Sequence, residues 1–420
     1  MTGPGILCCT PCRKTACQGS QTMSAETLES ELERLLAEPL KSVRERQTHT
    51  LERLVGDLER PFALFGASHL GRKAQAVLKE MGLVPCAFMD NNPALWGTSI
   101  DSVPVYSPAQ LVEQWQGALP AVICTIWSGH IHDCMEDRLA PLRRLGFERI
   151  ALFGHLAWRY PQPLLPHYCM DLPEKVLPEA DAIWQAFALL GDEASRRLFV
   201  NHVAWRLHLD HDLLPVSSPL QIYFDPHFST DCADEVVFDL GAFNGDTLEG
   251  YLATGRGYRE YHCFEPVARN FAALRDSLER QARPGLYAHR LAVGDSNGEV
   301  LIEAANGPSS RVGLGDERVP MTTLDDLTSQ GLPPTFIKID IEGFEPQCLA
   351  GGRRLIAEHH PVIAVSVYHE QNHLWHILLQ LHSYWDGYRF SLCPHVSDGW
   401  DLVLYAVPAD RVPSFSLREQ

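Results

Sequence analysis

Apolar positions along the chain fall into two alternations of short buried runs and amphipathic stretches, with a helical lead-in before the first. Leu28, Leu32, Leu35 and Leu36, then Leu51, Leu54, Val55 and Leu58, recur at helical spacing. Residues 24–59 are therefore expected to form one or two amphipathic helices. Ser24 is the candidate N-cap, and Thr27 stands where a full capping box would place Glu or Gln. Pro61 opens a different pattern. Strands are expected over 62–65, 84–89, 121–126 and 149–153, with helices over 72–81, 108–116 and 131–145. The run Asp90-Asn91-Asn92-Pro93 closes the second strand with a turn. Strands alternating with helices imply a parallel sheet, here a small Rossmann-like domain over residues 60–158.

Between Tyr160 and Pro178 stand five prolines, Pro161, Pro163, Pro166, Pro173 and Pro178. Proline lacks a backbone donor, so this stretch reads as a linker. Residues 179–209 return to helical spacing, with Ile183, Phe187, Leu190 and Leu198 on the inner face. The linker and its helices occupy 159–214, and a second α/β domain follows over 215–412. Its strands are expected over 236–238, 261–264, 286–293, 300–303, 336–339, 362–367 and 402–406, and its helices over 247–253, 267–281 and 371–384. Near-continuous apolar runs are what a sheet covered on both faces requires.

Composition narrows the function. Apolar residues make up 45% and charged residues 21%, enough for a core in each domain, while the formal charge of −18 gives an acidic surface. Without a basic cluster, neither nucleic acid nor an anionic membrane surface is an expected partner. No apolar run approaches the roughly 20 residues of a membrane span, and no secretory signal is seen at the amino terminus. The twelve cysteines then read as reduced thiols in a cytoplasmic protein. Cys8, Cys9, Cys12 and Cys17 crowd the first 23 residues, which read as a disordered leader, with Met23 an alternative start. Cys9 and Cys12 form a C-x-x-C, but no second pair accompanies it.

The chemistry gathers where the expected strands end. Asp239-Leu-Gly241-Ala-Phe-Asn244-Gly245-Asp246-Thr247 carries a buried strand through a glycine turn into a helix. Such a turn lets a ligand approach the backbone at a helix N-terminus. The next strand ends in Glu265, placed to accept ribose hydroxyls. The third ends at Leu291-Ala292-Val293, an apolar flank for adenine. The fourth reads Lys338-Ile339-Asp340-Ile341-Glu342, and the fifth ends at His369. An acidic, phosphate-free site suits a positively charged sulfonium, which favours S-adenosylmethionine over NAD. Open α/β sheets bind ligands at this edge.

These runs, with Phe336-Ile-Lys-Ile-Asp-Ile-Glu-Gly-Phe-Glu345, Leu349-Ala-Gly-Gly352 and Tyr368-His369, resemble the FkbM family of methyltransferases in order and spacing over about half of the chain. Gln221-Ile-Tyr-Phe224 resembles the family's lead-in. The resemblance implies a class I methyltransferase fold, S-adenosylmethionine as cofactor, and O-methylation of a sugar, glycoconjugate or natural-product acceptor. Asn244 departs from the acidic residue that relatives often carry. The cofactor set is then Asp239, Gly241, Asn244, Gly245, Asp246, Thr247, Glu265, Ala292, Val293 and Asp340. The catalytic set is His369 as base, with Asp340, Glu342 and Lys338. Lys338 shares a strand side with Asp340, so a structural ion pair between them is the competing role. Asp340 and Glu342 are also placed to hold a divalent metal, which no motif requires.

His369-Glu370-Gln-Asn-His373 satisfies H-E-x-x-H, but His369 is expected to end a strand, not to share a helix with His373. His208, Asp210, His211 and Asp212 read as a polar helix end. Gly66-Ala-Ser-His-Leu-Gly71 lacks the middle glycine of the dinucleotide fingerprint, and its domain resembles those appended to bacterial sugar-modifying enzymes. The alternative to an enzyme is a non-catalytic nucleotide- or cofactor-binding protein built on two Rossmann-like domains.

Overall fold

A computed structural model describes residues 27–127, 133–214, 222–226, 228, 234–302, 315, 317–328, 331 and 333–413. The leader cysteines, Met23, the expected Ser24 cap, residues 131 and 132, Gln221 and Glu303 lie outside the described residues. The first helix, Leu28–Leu36, is capped by Thr27, whose hydroxyl oxygen accepts the Ser30 N–H at 3.2 Å. Its apolar face meets helix Glu193–His208, and the second helix, Leu40–Val55, packs on helix Phe153–Arg159.

The first sheet has six strands: β1 (Phe62–Phe65), β2 (Ala87–Met89), β3 (Ser99–Ile100), β4 (Val103–Tyr106), β5 (Ala121–Cys124) and β6 (Ile150–Leu152). Their order is β3-β4-β2-β1-β5-β6, and every pairing is parallel except β3 with β4. β1 and β5 are buried throughout, as their uninterrupted apolar runs require. Gly71 lies so close to the preceding turn that a Cβ would meet the Gly66 carbonyl oxygen at 1.9 Å. Asp90 accepts the N–H groups of Ala67 and Asn92 at 2.8 Å each. Both features hold this turn to its own domain.

The second sheet has seven strands in the order β15-β16-β14-β13-β7-β8-β9. They are β7 (Val236–Leu240), β8 (Glu260–Phe264), β9 (Leu286–His289), β13 (Phe336–Ile339), β14 (Val362–Ser366), β15 (Tyr388–Pro394) and β16 (Leu402–Pro408). Only β16 runs against its neighbours. A small third sheet orders β10 (Ala292–Gly294), β12 (Glu317–Thr323) and β11 (Gly298–Ile302). The single strand expected over 286–293 is thus two strands in different sheets, separated at Arg290 and Leu291.

The proline-rich stretch differs from a solvated spacer. Leu164, Leu165, Cys169 and Met170 are buried within it, and Pro173 starts a short 3₁₀ turn. Proline density prevents long helices there, but the apolar side chains between the prolines still have a core to enter. That core is continuous from Leu28 to Ala406 and joins both large sheets. Helix Ala180–Leu189 packs on helix His373–Tyr384, and Glu193–His208 packs on β15. Among the described residues no helix is long and apolar enough to cross a membrane.

Candidate active site

The carboxyl ends of β7, β8, β13 and β14 open on a cavity of about 560 Å³. The turn after β7 forms one wall. Gly241 has φ +79°, and a Cβ there would meet the Asp340 carbonyl oxygen at 1.8 Å, so the turn and the end of β13 touch only because the residue is glycine. Gly245, with φ +94°, caps the helix Asp246–Ala253. Beneath the turn, Lys338 Nζ sits 3.0 Å from Asp239 Oδ1 and donates to the Gly241 carbonyl at 2.6 Å and the Leu240 carbonyl at 3.2 Å. Both ionic side chains are buried. Burial works against the ammonium, but Asp239 outweighs it and raises the Lys338 pKa. The pair fastens β13 to β7 and fixes the turn. It replaces the expected pairing of Lys338 with Asp340, because the register sets Lys338 directly opposite Asp239.

At the end of β8, Glu265 accepts the Val267 N–H on Oε1 at 2.9 Å and the Phe243 N–H on Oε2 at 3.0 Å. Burial nevertheless pushes its pKa up to about 7. Leu291, Ala292, Val293, Ile302 and Phe344 make an apolar wall beside it.

The segment after β13 is a tight turn held from inside. Glu342 has φ +57°, an uncommon conformation for a non-glycine residue. Glu345 Oε1 accepts the N–H groups of Ile341 at 2.9 Å and Gly343 at 3.3 Å. The same oxygen accepts His369 Nδ1–H at 2.8 Å. Burial works against the Glu345 carboxylate, but His369 and His373 hold its pKa down at about 2. Burial also opposes the His369 imidazolium, and Glu345, with Glu342 and Asp340, reverses this and lifts its pKa to about 10. His369 Nε2 lies 3.3 Å from Asp340 Oδ1 and 3.9 Å from Glu342 Oε2.

At the far end of the cavity stand residues that the sequence did not single out. Tyr168 comes from the proline-rich stretch, and Trp400 and Asp401 come from the turn between β15 and β16. The Tyr168 and Trp400 rings are 4.6 Å apart, and Tyr368 lies 5.9 Å from Trp400. Tyr223, within the lead-in noted above, donates its hydroxyl to Asp340 Oδ2 at 2.6 Å. Burial and the neighbouring Asp340 raise the Asp401 pKa to about 6. The first domain braces this end. Arg138 pairs with buried Asp398 at 2.5 Å, the Met135 N–H donates to the same carboxylate at 3.0 Å, and Trp127 Nε1–H donates to the Asp398 carbonyl at 3.0 Å.

Of the expected site residues, Gly241, Asp246, Thr247, Glu265, Ala292, Val293, Lys338, Asp340 and Glu342 line the cavity. Asp239 and His369 are buried behind it, and Asn244 and Gly245 shape the turn without lining it. The H-E-x-x-H pattern has no peptidase geometry: Glu370 points outward, and His369 and His373 both face Glu345. His208 pairs with Glu38, His211 with Asp398, and Asp210 accepts the Asp212 N–H.

This strand order, with one reversed strand next to the edge and the ligand-facing turns at the carboxyl ends, is that of a class I methyltransferase. Residues 239–390 match the family model of the methyltransferase FkbM domain. The chain shares its fold with the methyltransferase FkbM from Methylobacillus flagellatus KT, at a TM-score of 0.70 and 20% identity, covering 90% of this chain and 98% of that one. A precorrin-6y C5,15-methyltransferase from Geobacter metallireducens GS-15 is similar at TM-score 0.27 and 13% identity, over 42% of this chain and 81% of that one. No curated protein matches the sequence.

Proposed function

We propose that this chain transfers the methyl group of S-adenosylmethionine to a hydroxyl oxygen of a sugar, glycoconjugate or other natural-product acceptor. The carrying observation is that one cavity joins the Gly241 turn, Glu265 and the apolar wall at one end to Asp340 and Glu342 at the other. Glu265 Oε2 keeps a lone pair for a ribose hydroxyl, Ala292, Val293 and Phe344 suit an adenine face, and the carboxylates of Asp246 and Asp340 suit a cation. Bound there, S-adenosylmethionine supplies a methyl carbon whose bond to sulfur breaks, with its electrons going to sulfur, as the acceptor oxygen bonds to the carbon. The acceptor end, with Tyr168, Tyr368 and Trp400 beside carboxylates, offers rings for stacking and oxygens for hydroxyl donors. His369, with its pKa near 10, holds a proton at neutral pH. The basic atoms that face an acceptor are thus carboxylate oxygens of Asp340 and Glu342, and His369 backs them.

Glu265 gives this reading a pH signature. Its carboxylate is the better hydrogen-bond acceptor for ribose, and its pKa is raised to about 7. Below that pH the protonated form dominates, so S-adenosylhomocysteine affinity should rise with pH by up to about tenfold per unit and level off above about 7. Glu265→Gln should lose about 1.5–3 kcal/mol, roughly 10–10²-fold in Kd, and flatten the profile. Isothermal titration calorimetry across this range tests both. Equal affinity of the variant and the wild type would remove Glu265 from the cofactor site.

A further inference from the structure

We infer that Asp340, Glu342 and His369 form a binding site for a single divalent cation of the Mn²⁺ class. His369 is held from behind: its Nδ1–H donates to Glu345, and its side chain is only 2% exposed. Nε2 makes no hydrogen bond and is turned toward Asp340 Oδ1 at 3.3 Å and Glu342 Oε2 at 3.9 Å. Ligand atoms that share one ion at bond lengths of about 2.1 Å stand roughly 3 Å apart at right angles. Asp340 Oδ1 and His369 Nε2 already stand near that spacing, and Glu342, 3.9 Å from the imidazole, joins them by a movement of its side chain. The second oxygen of Asp340 is already fixed by the Tyr223 hydroxyl, which leaves Oδ1 oriented toward the imidazole. A ligating histidine that passes its other ring N–H to a carboxylate is the usual outer-shell arrangement of metal sites, and Glu345 supplies that carboxylate.

The position favours a working ion over a structural one. Asp340 and Glu342 line the cavity, so the remaining coordination positions open toward the acceptor end. One imidazole with two carboxylates suits Mn²⁺ and similar cations better than thiophilic ones. The ion takes the place of the Nε2 proton, which is released on binding. The site's purpose rests on the methyl-transfer reading: an ion there lowers the pKa of a bound acceptor hydroxyl. The site itself does not depend on turnover.

The test is Mn²⁺ titrated into the full chain and followed by electron paramagnetic resonance, where the bound ion loses the sharp signal of the free one. One ion per chain is expected. Asp340→Asn and His369→Ala should each abolish binding, and Glu345→Gln should weaken it by about 10–100-fold. Glu342→Gln, on the cavity wall, is the variant least exposed to misfolding and should weaken binding at least tenfold. S-adenosylhomocysteine binding is measured by calorimetry on the same samples. Failure of that ligand to bind while one Mn²⁺ binds would strike the cofactor reading and support this site. No Mn²⁺ binding by protein that binds S-adenosylhomocysteine overturns the proposal. So does Mn²⁺ binding that survives Asp340→Asn, Glu342→Gln and His369→Ala.

Discussion

Lys338→Met should lower the unfolding free energy by about 3–5 kcal/mol, the cost of leaving a buried charge without its partner. Asp239 is fully buried, and apart from Lys338 the Tyr261 hydroxyl at 3.2 Å is the hydrogen-bonding group that faces its carboxylate. Methionine matches the lysine stem but offers no donor, so the Gly241 carbonyl loses the ammonium donor as well, and the Leu240 carbonyl keeps the Asp340 N–H at 3.1 Å. The deficit should depend on pH with a definite sign. Burial already raises the Asp239 pKa, and removing Lys338 raises it further. A carboxyl whose folded-state pKa is raised destabilises the fold as pH rises through the interval above its unfolded value. The deficit is therefore largest near neutrality and shrinks toward about pH 4, the ordinary aspartate range. Urea denaturation at several pH values measures it. The double variant Asp239→Asn, Lys338→Met should recover part of the loss, because no bare charge remains. If it is no more stable than Lys338→Met, the ion pair is not what holds the turn.

His369→Asn should lower kcat by at least about 10²-fold and leave S-adenosylhomocysteine affinity within a few-fold of wild type. Asparagine can still donate to Glu345 near the Nδ1 position, so the turn over residues 340–345 keeps its support. What it removes is Nε2, the atom that faces Asp340 and Glu342. That loss is felt whether Nε2 holds a proton or an ion. Steady-state kinetics with the acceptor, beside calorimetry with S-adenosylhomocysteine, separates the two effects. Normal turnover by the variant would leave His369 as a packing residue against Tyr368, whose ring lies 4.3 Å away.

Much of this site was legible because parallel strands covered on both faces leave long apolar runs that end abruptly in polar residues. Val236 to Leu240, Phe336 to Ile339 and Val362 to Ser366 are buried at every position, so Asp239, Asp340 and His369 stand out at or just past their ends. The partner of Lys338 was not legible. Side-chain alternation places Lys338 and Asp340 on one side of β13, but the ion pair runs across to β7, and strand order is a property of the whole sheet. β15 was missed although Tyr388, Phe390 and Leu392 alternate with more exposed residues, a period-two signal at the sheet edge. β12, seven residues in the small sheet, carries no continuous apolar run and was missed as well. Tyr168, Trp400 and Asp401 gave no local signal. They reach the cavity because Leu164, Leu165, Cys169 and Met170 anchor the stretch after Tyr160 in the core that joins the two large sheets, and because Arg138 and Trp127 hold Asp398 beside them.

Methyl transfer to oxygen is tested by following an isotope-labelled methyl group. The full chain is incubated with S-adenosylmethionine carrying a labelled methyl group and a panel of hydroxylated sugars, glycoconjugates and polyketides, and the products are resolved by mass spectrometry and NMR. Label is expected in a base-stable methyl ether on one class of acceptor, with loss of that product in Glu265→Gln at low cofactor concentration. Protein that binds S-adenosylmethionine yet labels no acceptor across the panel, or that places the label on nitrogen or in a base-labile ester, would contradict it.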